Sequence, residues 1–97
     1  MTTKEALNKY KYLLPQTTTV EDLKCDTDKS VLTFGDYVVV SRYFYNPKGN
    51  ECYFGAVYRF VSAHRICSSP LELIAASDLE FKDDGSAILW AIQQASF

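Results

Sequence analysis

At 97 residues, with 47% hydrophobic and 23% charged side chains, the chain has room for one domain with one core and lies far from the composition of disordered proteins. Its formal net charge of −2 excludes the basic footprint of an ordinary nucleic-acid binder. Nowhere do about 18 apolar residues run together, and the opening MTTKEALNKYKYLLPQ has no apolar stretch of signal-peptide length, so a soluble, cytoplasmic protein is expected.

Thr2 followed by Glu5 is a capping-box pattern, and Ala6, Leu7, Tyr10, Leu13 and Leu14 recur at helical spacing until Pro15, which predicts a first helix. In TTTVEDLK, Thr18 or Thr19 can cap a short second helix whose first turn holds Glu21 and Asp22, where the positive end of the helix dipole favours acids. From Val31 the period changes. VLTFGDYVVVSRYFY is β-branched and aromatic with Gly35-Asp36 as a turn or bulge, NPKGN (Asn46 to Asn50) is a loop, and ECYFGAVYRFVS is a return strand.

SSPLE predicts a further helix, with Ser69 as cap, Pro70 at the first helical position and Leu71, Ile74 and Ala75 as its buried stripe. Asp78 to Lys82 alternates like a strand, and Asp84-Gly85 suits a tight turn or a helix start. A terminal helix from Ala87 to Ala95, capped by Asp84 or Ser86 and apolar on nearly all sides, is preferred over a strand there. The sum is a single α+β domain over 1–97: a small antiparallel meander of about three strands flanked by short N-terminal and C-terminal helices.

Several chemistries have no footing. The chain lacks a Gly-rich phosphate loop, G-x-S-x-G and H-E-x-x-H. Cys25, Cys52 and Cys67 are odd in number and widely spaced with no C-x-x-C, which predicts packed thiols and no disulfide framework. His64 lies three residues before Cys67, too little for a zinc site, and reads as a histidine at a strand end. Asp78 with Glu80, or Asp83 with Asp84, could be written as an acid/base pair, but carboxylates beside Gly85 in a turn are among the most solvated groups in the chain. No enzyme, cofactor or metal is expected.

Charge distribution says more than charge. EDLKCDTDK holds Glu21, Asp22, Asp26 and Asp28, and SDLEFKDDGS holds Asp78, Glu80, Asp83 and Asp84, so two short windows carry eight of the twelve acids. On an extended segment, residues two apart project on one face about 6.8 Å apart, so Asp78 and Glu80 would begin a short row of negative charge. Duplex DNA presents about one charge per 1.7 Å of axis, so such rows copy only a few phosphates. Tyr43, Tyr45, Tyr53 and Tyr58 read as cover for the sheet, with buried rings and wet hydroxyls.

From MTTKEALNKYKYLLPQ through SRYFYNPKGNECYFGAVYRFVS to SAILWAIQQASF, the whole chain resembles phage-type anti-CRISPR proteins of the type I-F inhibitor series. The resemblance implies a DNA mimic that binds the RNA-guided type I-F (Csy) surveillance complex at its large subunit and tail-end partner, fills the basic site that reads the protospacer-adjacent motif, and excludes target duplex. It implies protein partners, no direct nucleic acid, no membrane and a monomer. Under it, Asp78, Glu80, Asp83 and Asp84 are the first contact residues, and Glu21, Asp22, Asp26 and Asp28 the second. The alternative from the residues alone is a domain that holds a protein through its aromatic sheet, with the acids serving solubility.

Overall fold

The computed structural model describes residues 13–77 and 80–96. In chain order the elements are β1 (Thr17–Thr18), α1 (Val20–Leu23), β2 (Lys29–Phe34), β3 (Tyr37–Tyr45), β4 (Glu51–Phe60), β5 (Leu71–Ala76) and α2 (Asp84–Ala95). All strands pair antiparallel in the order β1-β5-β4-β3-β2. The α+β class agrees with the sequence, but the sheet has five strands where about three were expected. The expected meander is its β2-β3-β4 part. Most of the first predicted helix lies outside the described residues, and its last two positions, Leu13 and Leu14, form a turn and a bend.

Local chemistry accounts for most of the elements. Thr19 caps α1 by accepting from the Asp22 N–H at 3.1 Å. Gly35, at φ 62°, supplies the left-handed residue that lets β2 turn back into β3 with Phe34 opposite Tyr37.

The stretch after Pro70 is a strand and not the predicted helix. Ser69 spends its hydroxyl on the Ile66 N–H at 3.1 Å, closing a turn, so it caps nothing beyond Pro70. Glu72 sits directly across from Arg59 and pairs with it instead of reaching back to a cap. Tertiary pairing outweighs local propensity here, because β4 has an edge whose N–H and C=O groups need a ladder. A register shift between Val57 and Tyr58 then lets both Ile74 and Ala75 join the cluster under α2.

The sheet separates two apolar layers. Val38, Val40, Phe54 and Tyr58 point to the side covered by Leu14 and α1, where Val20 and Leu23 are buried. Val39 and Val57 point to the other side, beneath α2, against Ala91 and the partly buried Ile88, Trp90 and Ile92. The helix packs close at Gly55, where an added Cβ would lie 2.5 Å from the Ala87 carbonyl oxygen and 2.8 Å from Trp90 Cε3. α2 also differs from its expected form. It begins at Asp84 with Asp83 as cap, and it is apolar on one side only, with Ala87 and Ala91 buried and Leu89 56% exposed. None of the described helices is long and apolar enough to cross a membrane.

Candidate partner-binding site

The hairpin register of β3 and β4 places Tyr43 opposite Tyr53 and Tyr45 opposite Glu51, just before the Asn46–Asn50 loop. These side chains fall on the same face as α2. Because Ala87 rests over Gly55, the helix stops short of this pair, and the tyrosine rings meet edge to face beyond its N-terminus at 5.5 Å and 62°. Tyr45 leans on Tyr43 in the same manner, at 5.5 Å and 73°. Side-chain hydrogen bonding with Tyr45, burial and the Glu51 carboxylate all hold the Tyr43 hydroxyl well above the ordinary tyrosine range.

Two open clefts lie at this end of the sheet, one floored by the tyrosines and one reaching Cys52 of the α1-side layer. One, of about 490 Å³, is lined by Tyr43, Tyr53, Asp84 and the run from Thr27 to Ser30 that includes Asp28. The other, of about 600 Å³, lies under the Asn46–Asn50 loop and includes Glu51, Cys52, Glu80 and Lys82. A two-way backbone bridge joins them, since the Tyr53 N–H donates to the Phe81 carbonyl at 2.8 Å and the Phe81 N–H donates back at 2.7 Å.

The eight predicted acids therefore divide by task. Asp28 and Asp84, one from each window, face the same cleft. Glu80 lines the other cleft, where it accepts from Asn46 Nδ2 at 3.2 Å and from the Cys52 thiol at 3.6 Å. Burial and then the Glu80 carboxylate push the Cys52 thiol up, so it stays protonated at neutral pH. Glu21 and Asp22 are exposed on α1, and the Glu21 N–H donates to the Cys67 carbonyl in the β4–β5 loop, away from both clefts. Asp78 lies outside the described residues.

Asp26 and Asp28 are not bare charges. Lys29 Nζ lies 3.1 Å from Asp26 and 3.0 Å from Asp28, and Arg42 Nη1 is 3.2 Å from the other Asp28 oxygen. The Lys29 side chain is only 8% exposed, so this cation is screened less than a surface one. Asp83 is occupied as a cap, accepting from the Ser86 N–H at 2.7 Å and from the Ser86 hydroxyl at 3.0 Å. Asp83→Ala is expected to cost about 1 kcal/mol of stability and Asp83→Asn much less, because asparagine caps nearly as well without the charge. Thermal unfolding of the two variants checks this.

Tyr43 and Tyr53, read from the sequence as sheet cover, stand at the centre of the site beside Glu51. Their signal was present in the NPKGN loop, since a tight connection from Tyr45 to Glu51 fixes Tyr43 against Tyr53. The cysteines correct one expectation. Cys52 is packed, whereas Cys25 and Cys67 are exposed. His64 and Cys67 both sit exposed in the β4–β5 loop, and among the described residues no three His, Cys, Asp or Glu side chains gather to hold a metal ion.

No curated protein and no solved structure matches the chain. A family model described as nucleotide modification associated domain 4 matches residues 14–95, a span that includes the whole sheet, both helices and both clefts. The chain belongs to the nucleotide modification associated domain 4 family.

Proposed function

We propose that the protein acts without turnover, presenting the acidic and aromatic end of its sheet to a basic, nucleic-acid-reading surface of a protein partner. The observation that carries this reading is the convergence of Asp28 and Asp84, from windows far apart in the chain, on one tyrosine-floored cleft, with Glu51 and Glu80 lining the cleft beside it. Four carboxylates copy only a short stretch of duplex, so electrostatics supplies steering and orientation while the tyrosines supply buried area. Asp84 does most of the charge work, because Asp28 already shares Lys29 and Arg42.

The most specific form of the reading takes its partner from the sequence resemblance: the type I-F surveillance complex, with the protein filling the site that reads the protospacer-adjacent motif and shutting out target DNA. The family description, which associates these domains with nucleotide modification, supports a partner that handles nucleotides or nucleic acid. A second reading rests on the exposed Tyr45 stacked against Tyr43, and takes the three tyrosines as the whole contact with the acids outside it.

Salt and charge separate the two. Asp84→Lys combined with Glu51→Lys is expected to weaken binding to the surveillance complex by roughly tenfold or more, and wild-type affinity is expected to fall steeply with added salt. Affinity that ignores both changes but drops on Tyr45→Ala would overturn the electrostatic reading in favour of the aromatic one.

A further inference from the structure

The two edges of the sheet are treated differently. On one side β5 is covered, because β1 pairs with Leu71 and Glu72 and the Leu73 N–H donates to the Gln16 carbonyl at 2.8 Å. On the other, β2 is outermost, and among the described residues no strand pairs with its outer edge. β2 runs six residues in unbroken register with β3, with no proline and no bulge. Its sequence, KSVLTF, holds one charge, Lys29, and that side chain is turned into Asp26 and Asp28. Edge strands of monomeric proteins are ordinarily guarded by outward charges, prolines or bulges. β2 has none of these guards, and it exposes Leu32 (47%) and Phe34 (38%).

We infer that β2 is a self-association edge, pairing antiparallel with β2 of a second copy about a two-fold axis. A second copy fits this edge because β2 is self-complementary. Residues opposite each other across an antiparallel pair share a face of the sheet, so a two-fold axis through β2 must set residues of equal parity against each other. With Thr33 on the axis, Leu32 of each copy lies opposite Phe34 of the other. All four exposed apolar side chains are then brought together on the face that carries α2, since Leu32 and Phe34 sit beside Val39 and Tyr37 of that layer. No like charges meet across this pairing, and the small net charge of −2 opposes it little.

In this register Leu32, Thr33 and Phe34 of each β2 oppose one another, a three-residue pairing that buries far less than the roughly 1,200 Å² of an ordinary stable interface, so the dimer is weak, with a dissociation constant on the order of 100 µM. Self-pairing through β2 does not depend on which partner the acidic end meets. Either can fail without the other.

Sedimentation equilibrium of the full chain from about 5 to 500 µM tests it, a range that brackets the expected dissociation constant. The mean mass is expected to rise from 11.0 kDa toward twice that value. Leu32→Lys with Phe34→Lys is expected to hold the chain monomeric at all concentrations with its melting temperature little changed. In a Cys25→Ser, Cys67→Ser background, Thr33→Cys is expected to form a disulfide-linked dimer on mild oxidation, and Ser30→Cys to do so far less. A monomer throughout the range would overturn the inference and leave β2 to the strand of a different protein. A dimer indifferent to the double lysine variant would also overturn it, since its interface would lie elsewhere.

Discussion

Replacing Phe54 with alanine is expected to lower stability by about 3–5 kcal/mol, the range for emptying a large aromatic site in a packed core. Phe54 has no exposed surface, and its ring meets Phe44 edge to face at 5.4 Å and 76° on the α1 side of the sheet. Its strand is the third of five, paired on both sides, so the backbone cannot collapse into the hole. Domains of this size have about 5–15 kcal/mol in total, so the variant gives up a large share and should melt roughly 15 °C or more below the wild type. Urea denaturation followed by far-UV circular dichroism measures it. A loss under about 1 kcal/mol would mean that the core does not close over Phe54 as described.

The next residue tests the opposite layer. Gly55→Ala adds one carbon where the Ala87 carbonyl oxygen is 2.5 Å away and Trp90 Cε3 is 2.8 Å away, and a helix backbone cannot yield as a side-chain tip can. The helix must lift, at an expected cost of about 1–3 kcal/mol, with Gly55→Val worse. Gly55 is held in place on its own side as well, donating to the Ser77 hydroxyl at 3.1 Å while its carbonyl accepts from the Ser77 N–H at 2.8 Å. Trp90 makes the two neighbours distinguishable. Gly55→Ala should shift the native tryptophan emission to longer wavelength, as the ring loses its seat on the sheet. Phe54→Ala should leave the native emission unchanged and shorten only the unfolding transition. Native emission unchanged in Gly55→Ala would contradict the close helix contact.

Much of this architecture is legible in the sequence, and the reasons are local. Thr19, one of two caps the sequence offered, and Gly35, in a stretch read as a turn or bulge, carry their signals in one or two residues, and the structure resolves them as the α1 cap and the β2–β3 turn. The β2-β3-β4 meander follows from β-branched runs broken by loops. β5 was misread because Ser69-Pro70-Leu71-Glu72 is a good helix start by propensity, while the deciding term is the open edge of β4, which no local window contains. β1 is two residues long and exists only as a partner for β5, so it had no periodicity to show.

The candidate site was legible in halves. Asp28 and Asp84 were visible as members of acidic windows, but their convergence depends on α2 crossing the sheet with its N-terminus at Tyr43 and Tyr53. Asp83 illustrates the reverse. Its charge looked available for a partner, and its carboxylate serves Ser86.

The proposed function is competition by an acidic end for a basic, DNA-reading site. An order-of-addition gel shift tests it most directly, with the protein added to purified type I-F surveillance complex before or after labelled target duplex, at low and moderate salt. Duplex binding is expected to be lost when the protein is added first, the block to weaken as salt rises, and the protein alone to shift no duplex. Undiminished duplex binding with the protein added first, or a direct shift of duplex by the protein alone, would contradict it.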